Sequence, residues 1–242
     1  MAEQKNKKRM SQQQVRDLVE NIEIRAESAS RLVKGDPTEF IRPLEVQFVA
    51  GEEATKGEPR EIKIGQARVL YIHGNLAYYN YRHALLDVCD AYSQELCELF
   101  NAFFEEENEW IEEVRDADVV CYDILYIDYV YLHPEYRGYG IGKILLAGLI
   151  EEFGLPADIV ITWPLPMDPK LYEGKADFKL PYLTAEQTAS ATAKLRNSCE
   201  EVNFVPLESS QDFLFFSTGY THKRVVDLLS NQKVRPIRQA CR

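Results

Sequence analysis

Arg137-Gly138-Tyr139-Gly140-Ile141-Gly142 sets glycines at alternate positions behind an arginine. A loop that wraps a phosphate must turn several backbone N–H groups inward, at φ values that a Cβ opposes, so closely spaced glycines are what such a loop requires. From Lys143 to about Phe153 the chain is nearly all apolar and predicts a helix, whose N-terminal dipole end adds partial positive charge behind the loop. The stretch reads as a pyrophosphate cradle. It is neither of the common nucleotide fingerprints, since it lacks the G-x-G-x-x-G order and contains no Gly-Lys-Ser/Thr. The second residue with chemistry to offer is Asp128, inside the apolar run that leads to the loop. Aspartate is disfavoured in strands, and a buried carboxylate needs a partner or a raised pKa. Either condition suits proton abstraction, while an Asp tied to backbone or to an arginine is the structural alternative, and both stay open. Tyr126, two residues earlier on the same face, would line the site or fill the core.

These residues need a strand, a turn and a helix to hold them. Val119 to Leu132 predicts a long aromatic strand with a break near Asp123, and His133-Pro134 ends it because proline cannot donate to a sheet ladder. Gly154 and Pro156 close the helix behind the loop, and Asp158 to Trp163 predicts a short buried strand. Pro164 to Pro181 carries four prolines and predicts a loop beside the cradle.

Upstream, Ser11 and Gln14 form a capping-box pattern that opens a helix expected to run to Lys34-Gly35. Phe40 to Val49 and Glu61 to Ile72 predict an antiparallel pair of strands, with a bulge at Gly65-Gln66 where the apolar phase slips. Tyr81 to about Phe104 predicts one long helix, and Glu109 to Val114 a further turn or two. Downstream, Thr184 and Gln187 cap a helix to about Val202, with strands at Asn203 to Leu207 and Phe213 to Ser217. From Tyr220 the tail turns basic.

Arg-x-x-Gly-x-Gly preceded by Leu-x-Pro-Glu-Tyr, between a buried strand and an apolar helix, resembles the acyl-CoA-binding motif of the GNAT N-acyltransferase superfamily. Leu195 to Pro206 resembles the family's later helix-and-strand element, with Asn203-Phe204 where Gly-Phe usually stands. The fold implied is mixed α/β (α+β): a central, mostly antiparallel, splayed sheet with helices on both faces. The division implied is an N-terminal segment and helical arm over 1–36, an acyltransferase domain over 37–218 and a basic tail over 219–242. The order of elements before the central strand departs from the family's usual one.

By that resemblance, Val130 and Leu132 supply main-chain groups to the pantetheine arm of acetyl-CoA or another acyl-CoA. Arg137, Gly138, Tyr139, Gly140, Ile141, Gly142 and Lys143 would hold the pyrophosphate. Asp128 is the implied general base, with Tyr126 beside it where some members carry a glutamate. The family's usual tyrosine acid is replaced by Cys199. The activity implied is transfer of an acyl group, most often acetyl, to an amine of a small molecule or peptide. The alternative is a CoA-binding scaffold with little catalysis, and the resemblance admits a homodimer.

The chain of 242 residues is 45% hydrophobic with 14 Tyr and 11 Phe, ample for a core. Its net charge of −11 argues against nucleic acid, whose phosphates need a basic face. The odd set Cys89, Cys97, Cys121, Cys199 and Cys241 fits reduced thiols of a cytoplasmic protein, and no apolar run reaches the length of a membrane span. His73, His83, His133 and His222 have no ligand-like spacing, so no metal is expected.

Overall fold

The structure is a computed structural model that describes residues 10–28, 36–52, 60–82, 84–105, 108–167, 169, 180–219 and 224–230. The expectations for residues 1–9, the 53–59 connector, His83, His222, Cys241, most of the proline-rich loop and most of the basic tail lie outside them.

The elements in order are α1 (Gln12–Glu20), β1 (Ile22–Glu27), β2 (Ile41–Glu52), β3 (Arg60–His73), α2 (Leu85–Tyr92), α3 (Gln94–Phe103) and α4 (Glu112–Arg115). They continue with β4 (Asp123–Leu132), α5 (Ile141–Leu149), β5 (Ile159–Thr162), α6 (Ala185–Glu200), β6 (Val205–Pro206), β7 (Leu214–Ser217) and α7 (Val225–Ser230). The strands form one sheet in the order β1-β2-β3-β4-β5-β7-β6. The β4–β5 pair is parallel and the others are antiparallel. This is the mostly antiparallel mixed sheet expected from the sequence.

Two apolar cores lie on the two faces. One gathers Val46, Phe48, Ile64, Val69 and Ile127 under α5, with Val15 and Val19 of α1 and Cys199 and Phe204 after α6. The other gathers Leu70, Ile72, Ile124, Tyr126 and Ile161 under α2 and α3. Burial of each such Ile, Leu or Phe contributes roughly 1.5–3 kcal/mol, so the alternation of strand residues fixes which face each element covers.

Three expectations are corrected. The helix opened by Ser11 has its capping box but stops at Asn21, not at Lys34. Ile22, Ile24 and Ala26 alternate with charged residues, and pairing this strand to β2 as β1 satisfies more backbone than a sparse helix stripe would. The long helix from Tyr81 is broken: Leu76–Tyr81 winds as a separate π-helical turn, and Ser93 is extended at φ −165° and ψ 154° between α2 and α3. The Ser93 hydroxyl accepts from the Leu96 N–H at 3.3 Å, so a residue that reads as helix interior acts as a cap. The bulge in β3 falls at Ile64, between the pairs Phe48↔Gly65 and Val49↔Lys63, one residue before the expected position.

Candidate functional site

The strands β4 and β5 pair only from Ile124↔Ile159 to Ile127↔Thr162. Trp163 leaves the strand, and Pro164 has no N–H with which to continue a ladder. Asp128 to Leu132 therefore run on with β3 on one side and, among the described residues, no strand paired on the β5 side. The Thr162 hydroxyl donates to the Ile127 carbonyl at 3.0 Å and ties the two strands at the point where they part. Backbone at Val130 and Leu132 thus lies on the splayed segment that an extended ligand arm would pair with.

At the end of β4 the chain turns through Pro134–Tyr136 into the glycine loop. Gly138 and Gly140 have φ of +84° and +76°, the left-handed region that a side chain resists. A Cβ at Gly138 or Gly142 would meet nothing within 4 Å, so the glycines leave open space in front of the loop. Gly140 is the N-cap of α5 and no side chain caps that end, which leaves the first-turn amides to a ligand. A loop with glycine at every second position, open in front of Gly138 and Gly142, at an uncapped helix start fits a pyrophosphate. Arg137 lies across the strand end: its Nε donates to the Leu132 carbonyl at 2.8 Å and its guanidinium sits 5.1 Å from the Tyr131 ring centroid. Lys143 is paired with Glu201 at the end of α6. His133 is structural, its N–H bonding the Ile64 carbonyl at 2.9 Å.

Asp128 is where the register of β4 slips. Arg68 opposes Tyr129 and Val69 opposes Ile127, so Asp128 is the extra residue of a bulge. Tyr126 and Asp128 share the face covered by α2 and α3 by alternation, and the slip adds Tyr129, opposite Arg68, to it. Arg68 Nη1 lies 3.3 Å from Asp128 Oδ2, and Arg68 Nη2 donates to the Tyr92 hydroxyl at 2.9 Å. The Asp128 side chain is only 7% exposed, so this guanidinium is what makes its burial affordable. Arg68 is the partner that the buried Asp128 carboxylate requires, an arrangement both readings of Asp128 accommodate. Tyr126 is 1% exposed and its phenol donates to Glu95 of α3. Burial pushes the Glu95 carboxyl above its usual range and the Asp128 charge pushes the same way, while the Tyr126 hydrogen bond and Arg68 oppose them. A half-buried carboxyl that binds protons more readily than usual, beside the splay, is equipped for proton transfer. Glu95 carried no signal in the sequence beyond its place in an amphipathic helix, and only the packing of α3 on β4 brings it to Tyr126.

Residues 88–156 match the family model described as Acetyltransferase (GNAT) family, a span that runs from α2 through β4, the glycine loop and α5. That segment is similar to the GNAT acetyltransferase family. No curated protein and no solved structure matches the chain. The matched segment contains the cradle, Glu95, Tyr126 and Asp128 together. Among the described residues no helix is long and apolar enough to cross a membrane.

The later GNAT element is partly as the resemblance implies. Asn203 has φ of +78°, the conformation a glycine would supply, and asparagine tolerates it. Its N–H bonds the Glu200 carbonyl at 3.0 Å and the Phe204 N–H bonds the Cys199 carbonyl at 3.2 Å, a Schellman closure of α6. That geometry explains why Asn203-Phe204 can stand in place of Gly-Phe. Cys199, however, lies in the α5-side core with Val202 and Phe204, and burial pushes its thiol up to about 12. The structure places it on the opposite face of the sheet from the Glu95–Tyr126–Asp128 group, packed as a core thiol. Trp163 packs on Phe213 with centroids 5.0 Å apart, part of the α3-side core.

Proposed function

We propose that this chain is an N-acyltransferase that moves an acyl group, most simply acetyl, from acyl-CoA to a primary amine. The observation that carries the reading is the conjunction of the splay at Asp128–Leu132 with the glycine-rich loop Arg137–Gly142, open in front of Gly138 and Gly142, in the segment that matches the family. Val130 and Leu132 present backbone to the pantetheine arm, while Gly138, Tyr139, Gly140, Ile141 and Gly142 present amides to the pyrophosphate, flanked by Arg137 and Lys143. The co-substrate supplies an acyl group on a good leaving thiolate. The amine must reach the carbonyl as a neutral nucleophile. In this reading Glu95 takes its proton, Tyr126 holds the Glu95 carboxylate in place, and Asp128, held by Arg68, keeps negative charge at the bulge to orient an incoming ammonium. The new C–N bond forms as the C–S bond breaks: the ammonium's first proton rests on Glu95, and the proton the nitrogen sheds on acylation goes to the departing thiolate to give the CoA thiol.

Calorimetric titration with acetyl-CoA, followed by thiol release across a panel of amines, tests this. Gly142→Trp is the control variant: its Cβ meets open space, so the fold tolerates it while the indole fills the cradle. Micromolar binding that the variant loses, with turnover on at least one amine, is the expected outcome. Binding without turnover on any amine would replace the enzyme with a CoA-binding scaffold, and absence of binding would overturn the assignment.

A further inference from the structure

The two tryptophans of the chain differ in how their indole nitrogens are satisfied. Trp110 Nε1 donates to the Cys121 carbonyl at 3.0 Å, as a buried indole usually does. Trp163 Nε1 is shielded from solvent and has no hydrogen-bond partner among the described residues. A buried donor left unpaired lowers stability, and it points to an acceptor that arrives with a ligand. The position of Trp163 says which ligand. Ile159 and Ile161 of β5 belong to the α3-side core and Val160 to the other, and Trp163 keeps the phase of Ile161. Tyr126 pairs with Ile161 and Ile127 with Thr162, so the next two residues, Asp128 and Trp163, stand on either side of the point where the strands part. The indole packs on Phe213, and Phe213 packs edge-on against Phe103 of α3, the helix that carries Glu95.

The carboxylates on this face have partners of their own, Asp128 in Arg68 and Glu95 in Tyr126. In the reading above Glu95 receives the amine's proton, so the carbonyl under attack lies on the same face, at the mouth of the splay. We propose that the Trp163 indole N–H donates to the carbonyl oxygen of the acyl thioester and holds it while the amine adds. As the C–N bond forms, electron density of the C=O bond moves onto that oxygen, and it returns as the C–S bond breaks; the indole keeps its own proton throughout. A fixed donor shielded from water stabilises the charged oxygen more than the ground-state carbonyl, which is what accelerates the step. The inference rests on the acyl-CoA reading above and adds to it a catalytic residue outside the matched segment 88–156.

The test titrates the full chain and Trp163→Phe with acetyl-CoA and with S-ethyl-CoA, which carries a methylene in place of the carbonyl. Phenylalanine keeps a ring on Phe213 and removes the donor. In the proton spectrum of wild type the two indole N–H resonances are told apart by their contacts with the rings of Phe104 and Phe213, so this readout needs neither the variant nor an acceptor amine. The Trp163 resonance moves downfield with acetyl-CoA and stays in place with S-ethyl-CoA. Wild type prefers acetyl-CoA by roughly fivefold, the net effect of one hydrogen bond, and the variant loses that preference. With an accepted amine, kcat of the variant falls roughly 10²-fold while KM for the amine is unchanged. Equal indole shifts with the two ligands would overturn the proposal, as would a variant kcat within about twofold of wild type, or a loss confined to KM for the amine, which would move the N–H to the acceptor. A wild type that binds neither ligand would fail differently: it removes the acyl-CoA reading itself, and this proposal with it.

Discussion

Replacing Glu95 by glutamine separates a catalytic carboxyl from a packing one. Glutamine matches the size of the side chain and still offers an oxygen to the Tyr126 phenol, so the contact between α3 and β4 survives. What is lost is the proton acceptor. Removal of a general base costs typically 10²–10⁴ in rate, about 2.7–5.5 kcal/mol of transition-state stabilisation. The stability effect has the opposite sign. Burial, with Asp128 adding to it, raises the Glu95 pKa above its ordinary 4.5 against the pull of Tyr126 and Arg68. A carboxyl raised in the folded state gives stability that is present below pH 4.5 and lost as pH climbs through the raised value. At pH 8 the wild type therefore holds a partly desolvated carboxylate that the glutamine variant does not. The variant should be at least as stable as wild type at pH 8, and relatively less favoured at pH 4. Thiol release from acetyl-CoA with an accepted amine, measured from pH 5 to 9, reads the first effect, and urea unfolding at pH 4 and 8 reads the second. The wild-type kcat/KM should fall on the acid side as Glu95 protonates, and that limb should vanish in the variant. A kcat/KM within twofold of wild type with the acid limb in place would refute the role given to Glu95.

Arg68→Met leaves the Asp128 carboxylate, 7% exposed, without its guanidinium. Because Arg68 is itself 32% exposed, the cost is set below the full buried-pair penalty, at about 2–3 kcal/mol. Urea midpoints of Arg68→Met, Asp128→Asn and the double variant check it: the double should recover most of the loss, and simple additivity would show that the two groups are not coupled. Thr184→Ala removes the hydroxyl that accepts from the Gln187 N–H at 3.3 Å, and should cost about 1 kcal/mol in a thermal melt with no change in CoA affinity.

Much of the site was legible because it is local. Asp128, the stop at His133-Pro134, the glycine loop and α5 follow one another within about two dozen residues, and each is specified by its own neighbours: apolar alternation, a missing donor, the absence of Cβ atoms, an apolar helix. The capping boxes at Ser11 and Thr184 were likewise readable and are both formed. Boundaries were less secure where two local signals competed. Ser93 looks like one more residue of an amphipathic stripe until its hydroxyl is seen to cap α3, and Ile22–Glu27 looks like a fading helix until β2 offers it a ladder.

By itself the sequence pointed to the glycine loop, to the mostly antiparallel mixed sheet and to the resemblance with acyl-CoA-dependent transferases, since these depend on residue types at short spacing. Tertiary structure alone decided what the catalytic face contains. Arg68 reaches Asp128 across 60 positions and Glu95 meets Tyr126 across 31, through a bulge whose place is fixed by the pairing of β3 with β4. It also withdrew Cys199 into the core. A side chain's periodicity says which face it prefers, but its protonation and its partners depend on what the other strands and helices bring to that face, and no spacing along the chain encodes that.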